Sequence, residues 1–143
     1  MIVDASVVID AVTDAGPKGQ AAREALANHP GSEPLFAPGH LTVEILSGLV
    51  AAAIRPSHPL RADEIERALL DAEALEITIE GTPWADVRRA WALAQASLRY
   101  PDAIYIASAE RHASALLTSD ARIERSGAPI RCPIITIQPN DAS

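Results

Sequence analysis

The chain has 143 residues with 19 acidic against 12 basic side chains, a formal net charge of −7, which argues against a protein that holds nucleic acid by bulk positive charge. Its 48% hydrophobic content supports a packed core, and its single cysteine, Cys132, excludes a disulfide framework or a cysteine-rich zinc motif. The length fits one domain, expected over 1–139 with a frayed polar tail at 140–143.

Ile2-Val3 reads as a short buried strand that ends in Asp4, with Ser6 as a helix cap before Val7, Val8 and Ile9. A turn-rich break is expected from Asp14 to Gly19, then a helix over Gln20–Ala27, a loop over His29–Glu33 and a second strand at Leu35-Phe36-Ala37. Leu41–Ile54 reads as a helix whose core stripe is Val43, Leu46, Leu49, Val50 and Ala53. Arg61–Ala74 is amphipathic, with Ile65, Leu69, Ala72 and Leu75 near one face, and Leu75–Ile79 alternates as a strand does. Thr82 is expected to cap a helix that begins at Pro83 and carries Trp84, Val87, Trp91, Ala94 and Leu98 at helical spacing. Pro101 starts a further helix to about His112. Ala115–Thr118 is a strand, Asp120 caps a short helix, and Ile134–Ile137 is the final strand.

Strands separated by helices imply an α/β fold with a mostly parallel sheet, whose site lies beyond the carboxyl ends of its strands. Asp4 and Asp120 both fall there. The start, Met-Ile-Val-Asp, lacks the basic region and long apolar core of a secretory signal, and no stretch reaches the ~20 apolar residues of a membrane span. A cytoplasmic setting is expected.

Four acids stand in apolar surroundings, where a carboxylate is costly unless paired, protonated or bound to metal. Asp4 follows the first strand. Glu44 is the only formally charged residue between Glu33 and Arg55, beside small residues (Gly48, Ala51) that suggest open space above the backbone. Asp102 enters a helix that is otherwise mostly apolar or small. Asp120 follows Thr118 and Ser119, and an ordinary helix cap is the strong competing use for it. Two carboxylates about 4 Å apart repel by roughly 4 kcal/mol at an effective dielectric near 20, so convergent acids take up protons or a cation. Oxygen donors suit Mg2+ or Mn2+. Such an ion activates water and clamps phosphoryl oxygens, chemistry that cuts phosphodiesters without a covalent intermediate.

Met-Ile-Val-Asp-Ala-Ser-Val-Val-Ile-Asp at the start, Leu-Thr-Val-Glu-Ile-Leu-Ser-Gly-Leu after the second strand, Asp-Ala-Ile-Tyr-Ile-Ala-Ser-Ala-Glu in the late helix and Leu-Leu-Thr-Ser-Asp-Ala-Arg-Ile near the end resemble the PIN-domain nucleases. Among them the chain most resembles the VapC-type toxins of bacterial toxin–antitoxin pairs. The resemblance spans almost the whole chain in order and spacing. It implies a single α/β/α sandwich and a Mg2+- or Mn2+-dependent endoribonuclease. It also implies Asp4 and Asp102 as metal ligands, Glu44 and Asp120 acting directly or through water, and Ser6 and Thr118 in support. A homodimer, a small antitoxin that inserts an arginine or similar group among the acids, and a structured RNA substrate are further implications. The late motif departs from the family pattern, which usually has Tyr immediately before the acid. Here Tyr100 is followed by Pro101, and the fixed proline backbone alters the approach to Asp102.

Eleven arginines against one lysine, Lys18, suit bidentate phosphate contact. Arg122 and Arg125 lie nearest the acids in sequence, and Arg88 and Arg89 are further candidates. Haloacid-dehalogenase-like phosphatases need a second aspartate where Ser6 stands, and receiver domains need a late lysine, so both fit poorly. The rival outside enzymology is a catalytically inactive PIN-like module that binds RNA or protein.

Overall fold

The computed structural model describes residues 1–31 and 33–139. The expected tail, 140–143, lies outside the described residues. Among the described residues, five strands form one sheet: β1 (Ile2–Val3), β2 (Phe36–Pro38), β3 (Thr78–Glu80), β4 (Leu116–Thr118) and β5 (Ile134–Thr136). Their order is β3-β2-β1-β4-β5 and every pairing is parallel. Each strand is only two or three residues long. The α/β expectation holds, and the sheet is wholly parallel where a mostly parallel one was expected.

Seven helices among the described residues flank it: α1 (Ala5–Thr13), α2 (Pro17–Ala27), α3 (Leu41–Ala53), α4 (Ala62–Glu73), α5 (Trp84–Ala94), α6 (Tyr100–Arg111) and α7 (Arg122–Arg125). Helix α6 packs on α5, β1, β2 and β4, while α1 gathers α2, α3 and α4. Burial follows from composition: β1 and β4 are apolar and fully enclosed, as central strands of a parallel sheet must be. Ala103, Tyr105, Ile106 and Ala109 bring the buried side of α6 against them.

The chain runs outward from β1 through β2 to one edge, then crosses back to β4 and on to β5. The order therefore reverses between β1 and β4, and the crevice at their carboxyl ends is where a ligand has room.

Several expectations shift. The break before α2 is shorter than read, because Pro17 is itself the first residue of that helix. Thr82 does not cap α5; the cap position is Pro83, without a side-chain bond. Helix α5 stops at Ala94, so Leu98 lies beyond it and is buried from a loop. Residues 75–77 do not join β3, and Glu76 takes a positive φ of 54°, which breaks the alternation.

The largest correction is in α3. Its buried face is Leu41, Ile45, Leu49 and Ala52, whereas Val43, Leu46 and Val50 of the expected stripe are 64%, 48% and 52% exposed. An almost uniformly apolar helix has no periodicity to say which side is inward. The space beside Gly48 is also not open: a Cβ there would stand 2.5 Å from Ile9 Cδ1, so the missing side chain admits α1 rather than solvent.

Candidate functional site

Asp4 leaves β1 and caps α1, taking the role expected of Ser6. Its backbone is extended, and its carboxylate accepts from Ser6 N at 3.4 Å, Ser6 Oγ at 3.0 Å and Thr118 Oγ1 at 2.6 Å. Ser6 sits inside the first turn instead. Its hydroxyl also accepts from Ser119 N at 3.1 Å, and Thr118 Oγ1 accepts from Asp120 N at 3.0 Å. These contacts tie the ends of β1 and β4 together, so the expected supporting residues Ser6 and Thr118 do stand around Asp4.

Asp4 is buried. Burial pushes its pKa above the ordinary aspartate value, the Thr118 and Ser6 hydrogen bonds oppose that rise, and the nearby Asp102 charge adds to it. A desolvated carboxylate beside a like charge is a position a cation would stabilise.

Glu44 lies in the first turn of α3, half-buried, and reaches across to α6. The Tyr105 hydroxyl donates to Glu44 Oε1 at 2.7 Å. His40 Nε2 stands 3.4 Å from the same oxygen and 3.1 Å from the Pro101 carbonyl. A carbonyl only accepts, so that contact places a proton on Nε2. The His40 ring also lies against Tyr105, with centroids 4.4 Å apart. The Tyr105 hydrogen bond and the His40 contact both fall on Oε1 rather than Oε2. Burial, Glu44 and then Asp4 all hold the Tyr105 phenol well above its ordinary pKa, so it remains a proton donor.

Asp102 is buried in the first turn of α6 and pairs with Arg99, Nε to Oδ2 at 3.2 Å. The unusual Pro101 occupies the start of the helix, where its missing N–H costs nothing. Asp120 does not cap α7 as expected, since the cap position is Ala121 without a side-chain bond; it accepts from Arg122 N at 2.9 Å, and its oxygens pair with the Arg122 guanidinium down to 2.8 Å. That pair holds the Asp120 carboxyl below its usual range. Asp102, Asp120 and their two arginines line one small cavity of about 70 Å³. Arg125 is exposed on α7. Arg89 is committed elsewhere: it donates to both Glu110 oxygens and to the Pro129 carbonyl, fastening α5 to α6 and to the segment before β5.

The four expected acids thus come to one end of the sheet. The charges act on one another: Asp4 feels Asp102, Arg99 feels Glu44, and Arg122 feels Asp102. They are not, however, drawn into one coordination sphere. Among the described residues, no three His, Cys, Asp or Glu side chains stand together as ion ligands. Arg99 and Arg122 hold two of the acids, and Tyr105 with His40 holds a third. The donor set is carboxylate and hydroxyl oxygen, which fits a hard divalent ion, provided that Asp102 or Asp120 turns from its arginine.

Sequence reading missed His40, Tyr105 and Arg99. Each carried a helical signal: His40 is four residues before Glu44, and Tyr105 and Arg99 are three residues either side of Asp102. A wider depression of about 670 Å³, lined partly by Val12, Leu26, Leu35 and Leu75, lies toward the far end of α1 from Asp4. No helix among the described residues is long and apolar enough to cross a membrane.

The PIN domain family matches residues 1–128. Ribonuclease VapC3 of Mycobacterium tuberculosis is 29% identical over 126 residues, covering 88% of this chain and 86% of that protein. Among solved structures, a toxin–antitoxin complex from Klebsiella pneumoniae superposes with a TM-score of 0.67 at 22% identity, over 94% of this chain and 95% of that one. Mycobacterium tuberculosis VapC20, a sarcin–ricin loop cleaving toxin, gives 0.66 at 16% identity, over 92% and 98%. These two share the fold.

Proposed function

The chain belongs to the PIN domain family, and from that premise we propose that it is a metal-dependent endoribonuclease and the toxin of a type II toxin–antitoxin pair. The observation that carries the reading is Asp4. It is a buried carboxylate at the sheet's topological switch, held by Thr118 and Ser6 and facing the Asp102 charge. The likeness to Ribonuclease VapC3 supports RNA as the substrate.

Asp4 and Asp102 would hold Mg2+ or Mn2+, with Glu44 and Asp120 acting directly or through water. Bound there, the ion would supply Lewis acidity and lower the pKa of a water. The chain's own residues do the rest. Thr118 and Ser6 fix the Asp4 rotamer. Tyr105 and His40 hold Glu44 through one oxygen, Oε1. No histidine touches Asp4, Asp102 or Asp120 among the described side-chain contacts, so proton removal by imidazole is no part of this reading.

The functional unit would be residues 1–139, working in the cytoplasm as a homodimer with a small antitoxin as partner. Exposed apolar side chains support protein partners: Val43, Leu46 and Val50 on α3, and Trp84 and Trp91 on α5, the last stacked on Tyr100 with ring centroids 6.4 Å apart. The deciding experiment incubates purified chain with transfer and ribosomal RNA in Mn2+ or in excess EDTA. Cleavage that depends on Mn2+ and disappears in Asp4→Asn supports the reading; equal cleavage in EDTA overturns it.

A further inference from the structure

We propose that Arg99 and Arg122 are the RNA-phosphate contacts of this site: two guanidiniums that rest on Asp102 and Asp120 and pass to a phosphate as those acids engage the cation. The inference rests on the endoribonuclease reading and adds the residues that receive the substrate's charge.

Both arginines present their forks to a carboxylate. Arg99 donates from Nε to Asp102 Oδ2 at 3.2 Å, with Nη2 at 3.5 Å from Oδ1. Arg122 donates from Nε to Asp120 Oδ1 at 2.9 Å and from Nη2 to Oδ2 at 2.8 Å. The same fork fits two oxygens of a phosphate. Each guanidinium covers its acid from the solvent side: the arginines are 63% and 77% exposed, their acids 9% and 18%.

The two cations share the 70 Å³ cavity, and the charge of Arg122 acts against that of Arg99. Only the intervening acids make that proximity tolerable. A divalent ion that draws on those acids weakens both pairs together and leaves two like charges facing a crevice, which a bridging anion relieves.

Arg61–Asp63 and Arg67–Asp71 are also local pairs, but they lie on α4 away from the acids, and the clasps between elements differ in kind. Arg89–Glu110 and Arg111–Asp86 join elements 21 and 25 residues apart and hold the fold together. Arg99–Asp102 and Arg122–Asp120 span three and two residues, so exchanging their partners breaks no tertiary contact. A net charge of −7 makes such local release of positive charge the economical way to meet a polyanion.

The test uses the full chain and two readouts. Anisotropy of a fluorescein-labelled single-stranded oligoribonucleotide, with Ca2+ present, gives RNA affinity as a function of KCl. Calorimetric titration with MnCl2 gives cation affinity. In R99Q/R122Q, RNA binding should weaken and the log–log salt slope should flatten by about 0.7 per arginine. Mn2+ affinity should hold or rise, since the competing cations are gone. R67Q, an exposed arginine paired within α4, should leave both unchanged. A double variant with wild-type affinity and slope, or one that loses Mn2+ and RNA together, overturns the arginine role alone. A wild-type chain that binds neither RNA nor Mn2+ overturns the nuclease reading with it.

Discussion

Thr118 and Asp4, 114 residues apart in the chain, meet where the Thr118 hydroxyl donates to Asp4 Oδ2 at 2.6 Å. Thr118 Oγ1 in turn accepts from the Asp120 backbone N–H at 3.0 Å, so one buried hydroxyl couples the first acid to the last. Thr118→Val keeps the shape and removes both contacts. A buried hydrogen bond to a charged group contributes about 1.5–3 kcal/mol, so the variant should lose stability of that order in urea unfolding, with Thr118→Ser restoring most of it. A Val variant as stable as wild type would show that the bond carries no weight.

Asp4 sets a pH dependence. Its folded pKa is raised above the unfolded value, chiefly by burial. Between those two values the folded chain binds more protons than the unfolded one, so the contribution is complete below the ordinary aspartate range, near 3.8, and is lost as pH rises through the raised folded pKa. At neutral pH and without metal, Asp4→Asn should therefore melt at or above the wild-type temperature, and the difference should shrink as the solution is made acidic. Added MnCl2 should raise the melting temperature of wild type and not of Asp4→Asn, because only a chain that binds the ion gains from it. Equal metal-induced shifts in both would exclude Asp4 as a ligand.

Tyr105→Phe removes the hydroxyl that donates to Glu44 at 2.7 Å while keeping the ring in the core. Glu44 would then be steered by His40 alone. Loss of a second contact of this kind weakens a metal site by about 10–100-fold. The expected result is a drop of that size in Mn2+ affinity by calorimetry, with little change in thermal stability measured in EDTA. A variant that unfolds instead would assign Tyr105 a packing role only.

Gly19→Ala tests the fold apart from the site. A Cβ at this buried position would overlap the Asp14 carbonyl oxygen, a backbone atom that cannot rotate away. Helix α2 must shift against α1, and overpacking of this sort costs about 1–3 kcal/mol, seen as a lowered denaturant midpoint. Metal affinity should be unchanged, since the glycine lies toward the opposite end of α1 from Asp4.

The order of elements was legible because β1 and β4 are short apolar runs followed at once by polar residues, a pattern that marks both a buried strand and its exit. Three of the four acids announced themselves by interrupting apolar sequence. What could not be read was orientation. In α3 nearly every position is apolar, so the expected stripe took Val43, Leu46 and Val50 as core beside Leu49, and the structure keeps Leu49 inward but joins it with Leu41, Ile45 and Ala52 instead. The partners of the acids were hidden for a related reason. Tyr105 meets Glu44, 61 residues away, only once α3 and α6 are packed together, whereas Arg99 beside Asp102 and His40 before Glu44 are local pairs at cap positions, where helical periodicity begins.

The family match ends at residue 128, yet β5 begins at Ile134 and pairs along all three residues of β4. Arg89 and Glu110 hold the stretch between them through the Pro129 carbonyl and the Arg131 N–H. An expression clone trimmed to the shared boundary would therefore turn an enclosed strand into an open sheet edge. Its bared amide and carbonyl row, beside Leu116 and Leu117, would invite stacking between copies, so such a clone should be recovered from the insoluble fraction.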